Sequence, residues 1–355
     1  MKITISGTSN QLQNLSTFFS RAKSLIVKKI LNFSGFSLSS VTELIDPEDK
    51  PEITFRNLGI HTGLETFSYK DFESGNDSGK IFGPRFYIEV QNVFLDSLTG
   101  VTYSRERQII RDSSSWSKEF LVASAQLRPG FYADQLSLEA NRDYVCLSSN
   151  GYYHWLIEDF PLYLATLREF PKVKTLIYKG SPAYVRSALN SLGVEPIEIN
   201  RFTRLDRLIH ISRDSTVGWP IPSDIKELRQ FAKPLLSEKK QSKKVYISRL
   251  TDSRSPSFES ELVKHLEENN WEILNASKMS LSEQISKISS ASTLAGVHGA
   301  GLSGIVWLNP GANVIELGTS RFVRCFNRLS AMVEVNYERI NFSRMGVEDV
   351  SARLD

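Results

Sequence analysis

Only two cysteines, Cys146 and Cys325, occur in the 355 residues. They lie far apart and form no C-x-x-C pair, which excludes a disulfide framework and a cysteine-built zinc site and makes a reducing compartment the expected setting. No apolar run reaches the roughly 20 residues that cross a bilayer. The stretch from Met1 to Asn14 lacks the basic-then-apolar order of a signal peptide, so a cytoplasmic protein is expected. The N-x-S sequons, Asn32-Phe-Ser and Asn275-Ala-Ser among them, are then accidents of a serine-rich chain. H-E-x-x-H, Walker A and D-x-D patterns are absent, so no metal ligand set is expected. Neither sign of charge dominates. A formal net charge of +3 is too small at this length to imply a nucleic-acid partner.

What is present is ordinary globular composition, 41% hydrophobic and 23% charged, in a chain long enough that two domains are the default. Near the start, Arg21 to Leu31 mixes Arg21, Lys23, Lys28 and Lys29 with five aliphatic residues. It reads as a surface helix, with peripheral contact at the inner membrane face as the alternative. Strands are expected over Phe86 to Phe94, Val101 to Tyr103 and Gln108 to Asp112, giving a β-rich entry. From Tyr144 the pattern becomes strand and helix in alternation: Tyr144 to Ser148, Tyr152 to Phe170, Thr175 to Tyr178, Ala183 to Leu192, Leu208 to Ile211. That order predicts a parallel sheet with crossover helices.

The rigid Gly218-Trp-Pro-Ile-Pro222 reads as a hinge, with Ser223 capping a helix over Asp224 to Leu236. A basic stretch, Glu238 to Lys244, leads into a second alternating series: strands from Val245, Trp271, Thr293 and Asn313, and helices over Glu259 to Asn269, Leu281 to Ser289 and Ser303 to Leu308. The expected division is a first domain over 1–222, a second over 223–325, and a terminal segment, 326–355, packing back on the first.

Ligands of open α/β sheets bind beyond the carboxyl ends of the strands, so those positions carry the functional reading. Gly151-Tyr-Tyr-His-Trp-Leu-Ile-Glu-Asp159 opens a helix after one strand, and Pro161 predicts a kink just beyond it. His154 and Glu158, four apart, share a face there, and a carboxylate at that place can take a proton from an attacking hydroxyl while the imidazole orients it. The alternative is a capping or core histidine beside a solvated glutamate. Arg249, directly after the strand Val245 to Ser248, and Arg254 a little later can pair with a diphosphate; a surface ion pair is the other reading, stronger for Arg254. The turn His298-Gly299-Ala300-Gly301 joins a strand to a helix. Its small residues admit an anion to the backbone N–H groups, or else simply make a tight turn.

Two acids need separate treatment. Ser280-Leu-Ser-Glu283 is a capping box, so Glu283 has a structural task that competes with a place in the donor site. Glu316 sits at the end of an apolar strand, where a charge must be paired or bound, and a ribose hydroxyl is one partner it can serve.

Taken together, Tyr153-His-Trp-Leu-Ile-Glu158, Val245-Tyr-Ile-Ser-Arg249 and Gly296-Val-His-Gly-Ala-Gly-Leu302, followed by Pro310-Gly311 and Val314-Ile-Glu-Leu317, resemble glycosyltransferase family 61. That group contains capsular polysaccharide biosynthesis proteins and eukaryotic xylosyl- and N-acetylglucosaminyltransferases. The resemblance covers Arg85 to Gly318 in order and spacing. It implies an α/β fold of GT-B type, two Rossmann-like domains facing a central cleft. It also implies an inverting hexosyl- or pentosyltransferase with no cofactor or metal, whose partners are a nucleotide-sugar donor and a glycan or lipid-linked glycan acceptor. By that resemblance Glu158 is the base with His154 beside it, and Arg249 with the His298–Gly301 turn holds the donor phosphates. The chain departs from the family in Leu250, where a second basic residue is common and Arg254 can compensate. Phe258, where an asparagine is common, leaves the role of Glu259 open. Asp159, next to Glu158, is a rival base. The other readings are a different surface-glycan enzyme, such as a pyruvyltransferase, and a non-catalytic binding protein.

Overall fold

The computed structural model describes residues 55–103, 138, 142–149, 151–213, 217–237, 243–250, 255–343 and 345–354. Arg21 to Leu31, the expected strand Gln108 to Asp112, most of the Glu238 to Lys244 stretch, and Arg254 lie outside the described residues.

The β-rich entry is present and larger than expected. β1 (Phe55–Thr62), β2 (Glu65–Lys70) and β3 (Asp77–Phe82) precede β4 (Arg85–Asp96) and β5 (Val101–Tyr103). β2 and β3 form an antiparallel hairpin, with Glu65 opposite Phe82 and Lys70 opposite Asp77. β1 and β5 both pair antiparallel with β4. Next come β6 (Tyr144–Cys146), β7 (Lys174–Tyr178) and β8 (Ile197–Ile199), a parallel sheet whose crossovers are helical.

β9 (Phe202–Ile211) corrects the expectation for Leu208 to Ile211. Rather than extend the parallel sheet, it runs antiparallel to β4, from Phe202 opposite Asp96 to Ile211 opposite Tyr87. Both carboxylate oxygens of the buried Asp96 accept from Arg201, each at 2.9 Å, and that paired bond fixes the register from one end. The first half is therefore a mixed structure, not a single parallel sheet.

The second half holds β10 (Lys243–Ile247), β11 (Glu272–Leu274), β12 (Ala291–Val297), β13 (Asn313–Gly318) and β14 (Asn336–Asn341). All are parallel, in the order β11-β10-β12-β13-β14. Side chains alternate between the faces. Val245, Ile247, Leu294 and Val314 pack with Ile285, Ile288, Leu302 and Ile305. Tyr246, Ala295, Val297 and Leu317 pack with Leu262, Leu266, Val350 and Leu354 on the other face.

Beyond residue 325, β14 joins this sheet and the helix Val347–Leu354 packs on the helix Glu259–Glu268. In the last segment, the helix Cys325–Met332 meets β2 of the first half, and Tyr337 of β14 meets Phe72. The hinge also differs in detail. The helix begins at Pro222 and runs to Ala232, with Ile221 as its cap. Ser223 is occupied elsewhere: its hydroxyl donates to Glu65 at 2.7 Å and accepts from Arg85 at 2.7 Å. One core joins the halves, since Trp155, Phe160, Tyr163 and Leu228 of the first belong to the same buried set as Ile305 and Phe326 of the second.

Candidate active site

The sequence from Gly151 to Glu169 builds an irregular helix. Gly151 enters it with φ of 79°, a left-handed conformation suited to glycine, and Tyr152–His154 makes one α-turn. Trp155–Asp159 then widens to a π-turn in which the N–H of Phe160 donates five residues back to Trp155. Phe160–Glu169 resumes the α-helix, with Pro161 in its first turn where a missing N–H costs nothing. The distortion expected at Pro161 is thus taken up just ahead of it, in the segment that carries Glu158 and Asp159.

His154 and Glu158 do meet, Nδ1 to Oε2 at 3.0 Å. The other oxygen, Oε1, accepts the backbone N–H of Gly218 at 2.7 Å, from the segment read as a hinge. Gly218 has φ of 80°, which turns that N–H toward the helix. Of the pair, His154 is the more open, its side chain 25% exposed against 10% for Glu158.

Asp159 faces another way and is spent within the fold. It accepts from the hydroxyl of Ser148 and pairs with Arg213, both at very close range. Burial alone would lower the Arg213 guanidinium, but the contact with Asp159 outweighs it and raises it. The rival base is therefore a buried half of an ion pair.

On the second half, β10 and β12 are neighbours in the sheet while the chain departs in opposite directions from them, so their carboxyl ends flank the crevice of a doubly wound sheet. Arg249 follows β10, and the His298–Gly301 turn follows β12. They touch: Arg249 Nη1 donates to the carbonyl of His298 at 2.7 Å. Gly299 leaves room for the guanidinium, since a Cβ there would lie 2.7 Å from Arg249 Nη1. Likewise a Cβ on Gly301 would lie 2.8 Å from Ile247 Cγ2. The turn runs into the 3₁₀ helix Ala300–Trp307, whose first N–H groups have no acceptor within it.

His298 Nδ1 lies 2.7 Å from Glu316 Oε1. Glu316 is fully buried, and its Oε2 accepts the hydroxyl of Tyr337 at 2.6 Å. The carboxylate expected on a ribose is instead turned to the imidazole. Glu283 completes its capping box, both Ser280 and its N–H bonding to it, and stays exposed at the helix start. Those bonds from Ser280 hold its carboxyl below the usual range.

The two sides approach through rings. His154 lies 5.4 Å from Tyr153, Tyr153 lies 5.7 Å from Phe326, and Phe326 lies 5.3 Å from His298, all edge to face. Beside them a cavity of about 570 Å³ opens between the halves. Tyr152 and Tyr184 line it from the first half, Arg249, Ala300 and Gly301 from the second, and Asn275 to Ser280 close its end. Burial pushes the Tyr184 phenol up to about 12, so the wall it forms is neutral. Among the described residues no group of three or more His, Cys, Asp or Glu is placed to hold a metal ion.

Residues 152–315 match the family model Glycosyltransferase 61. None of the curated proteins compared matches the chain. His154, Glu158, Arg249, His298 and Gly301 all fall inside the Glycosyltransferase 61 span, and Glu316 stands one residue past its end. The match thus covers both walls of the cavity and the two histidine–glutamate pairs' imidazoles. The described residues contain no helix long and apolar enough to cross a membrane.

Within that span the structure gives a role to Glu259, which the sequence leaves open, and to Gln284, which the sequence reading misses. Glu259 is fully buried and accepts from the backbone N–H of Arg249 at 2.6 Å, from Ser255 at 2.6 Å and from Tyr246 at 3.3 Å, so it fixes where the arginine starts. Gln284 accepts the hydroxyl of Tyr152 at 2.8 Å and donates to the carbonyls of Ala276 and Met279, tying the end of the cavity to the helix that carries His154. An acid in a first helical turn after a β-strand was the available signal for Glu259. Nothing local marks Gln284.

Proposed function

We propose that this chain is an inverting, metal-independent glycosyltransferase that moves a sugar from a nucleotide-sugar donor to a glycan acceptor in surface polysaccharide synthesis, capsular, exo- or lipo-. The observation that carries the reading is the meeting of Arg249 with the His298–Gly301 turn at the crevice of the parallel sheet, beside a cavity lined by Arg249, Ala300 and Gly301 and, from the helix that carries the His154–Glu158 pair, by Tyr152. In this reading the two halves act as the facing domains of a GT-B enzyme. The donor lies in the cavity with its diphosphate on Arg249, His298 and the first N–H groups of the Ala300–Trp307 helix.

The acceptor hydroxyl attacks the anomeric carbon from the side opposite the diphosphate, which inverts the configuration. As the new bond forms, the hydroxyl proton passes to the Glu158–His154 pair, with Glu158 holding the charge. The leaving diphosphate departs onto a cation and oriented N–H groups, which stabilise the charge that a metal stabilises elsewhere. Activity is accordingly expected to survive exhaustive EDTA treatment. Complete loss, restored by magnesium or manganese, contradicts that part.

The donor assignment is tested with Arg249→Ala. Removing a charge-assisted contact is expected to weaken nucleoside diphosphate binding about 10- to 100-fold, as 1.5–3 kcal/mol dictates. The fold should persist, because the side chain is only partly buried and meets the His298 carbonyl at the edge of the cavity rather than in the core. Isothermal calorimetry checks it, and an unchanged affinity removes Arg249 from the site.

A further inference from the structure

The β2–β3 hairpin belongs to the first half and lies outside the matched span, yet its tip is fastened to the second half. Asp71 receives the guanidinium Nε of Arg324, and Glu73 receives Nη2 at 2.9 Å. The backbone N–H of Phe72 donates to the side chain of the buried Asn327 at 3.0 Å. Burial alone would raise the Asp71 carboxyl, but the bonds from Arg324 and Ser74 overcome it and hold it down to about 2. The tip is therefore anchored by charge and by backbone at once.

That anchorage seats the ring of Phe72 edge-on against Tyr337, with centroids 5.3 Å apart and planes at 90°. Tyr337 sends its hydroxyl to Glu316, and Glu316 holds Nδ1 of His298. Burial, and then the Glu316 charge, raise the Tyr337 phenol, so it stays a donor. A carboxylate oxygen accepts, so the proton between Glu316 and His298 sits on Nδ1 and the other nitrogen, Nε2, is the one presented outward by a side chain that is 38% exposed. Arg339, whose Nε lies 3.7 Å from Glu316, is the cation that compensates the buried carboxylate. His298, Tyr337 and Arg339 all turn donors toward Glu316, and one of them, Tyr337, is in contact with Phe72 from the opposite half of the molecule.

We propose that the hairpin tip is a positioning element for His298: Phe72 holds Tyr337 on Glu316, and Glu316 fixes the ring orientation by accepting from Nδ1, so that Nε2, carrying a proton when the donor is bound, donates to the diphosphate. The diphosphate part of this rests on the function proposed above; the fixing of the imidazole does not. Phe72 and Tyr337 touch no substrate. Their effect reaches the cavity only through Glu316 and His298, across a contact between the halves, so the halves must be correctly apposed before the imidazole is set.

The test uses the full chain labelled with ¹⁵N-histidine, in which the five histidines are few enough to resolve and a His298→Gln spectrum assigns the one of interest. His298 is expected to show an Nδ1–H resonance. Tyr337→Phe, which keeps the ring and loses the hydroxyl, and Phe72→Ala, which keeps the hydroxyl and loses the ring contact, are each expected to shift or broaden that resonance and leave His154 unchanged. Phe72→Tyr is expected to restore it. With UDP, GDP and inorganic pyrophosphate as probes, both impaired variants should bind about three- to tenfold more weakly, the range expected for one hydrogen bond. An unshifted His298 in variants that melt near the native temperature overturns the positioning. If Phe72→Ala fails to fold, Tyr337→Phe alone decides, since its ring still fills the same place. A shifted His298 in a protein that binds no diphosphate at all supports the positioning and overturns the donor reading.

Discussion

Replacing Glu158 with glutamine is expected to lower turnover about 100- to 10,000-fold while donor affinity stays nearly the same. Glutamine keeps the shape but loses the charge, and the surroundings dictate how it must sit. Oε1 accepts from the N–H of Gly218, so the amide oxygen has to take that place and the amide NH₂ turns to His154. His154 must then accept at Nδ1, which moves its ring proton to Nε2. Both members of the pair lose the capacity to take up a proton in the same step. The donor site lies across the ring contacts from this pair and keeps Arg249 and the His298 turn, so binding should survive. Steady-state transfer rates beside calorimetric donor affinity check this. A variant with near-native turnover removes Glu158 from proton transfer, even if the nucleotide still binds.

Asp159→Asn is expected to act on stability instead, lowering the free energy of unfolding by about 3–5 kcal/mol, because it leaves the guanidinium of Arg213 without its partner in the interior. The sequence leads to a small effect on activity, on the ground that successive helical residues point about 100° apart. The structure keeps that divergence and adds what lies on the other side, the Ser148 hydroxyl and Arg213. Urea unfolding should show the loss, and the folded enzyme should retain most of its turnover. The reverse pattern, native stability with turnover abolished, makes Asp159 the base.

The contrast between these neighbours shows where the sequence is legible. The helix Leu281–Ser289 was bounded to the residue, because its capping box is a local signal. β12 and the turn after it were also found, since an apolar strand followed by small residues is written in consecutive positions. The β2–β3 hairpin is not marked: Phe67 and Tyr69 alternate with the exposed Thr66 and Ser68 over only a short run, and β3 reverses the pattern, with Ile81 on the water face and Lys80 on the inner one. Of β9 the sequence marks only Leu208 to Ile211 and predicts a parallel neighbour; its pairing with β4 joins residues more than 100 positions apart, and no local pattern encodes that.

The site follows the same division. Residue types at strand ends marked His154, Glu158, Arg249 and His298, and the structure brings each beside a partner. Which partner was a question of geometry. Glu316 stands out in the sequence because a buried charge needs a counterpart, and the fold supplies His298, Tyr337 and Arg339 around it. Glu259 and Gln284 act through contacts made after folding, so the sequence names the first without a role and does not mark the second.

Thermal shift with a panel of nucleoside diphosphates, nucleotide-sugars and phosphoenolpyruvate tests the central claim most directly. A ligand at 100 times its dissociation constant stabilises the protein it binds by about 2.7 kcal/mol, well within detection. The account predicts stabilisation by at least one nucleoside diphosphate and its sugar derivatives, reduced in Arg249→Ala to about 0.4–1.4 kcal/mol and indifferent to EDTA. Stabilisation by phosphoenolpyruvate with no response to any nucleotide would contradict it.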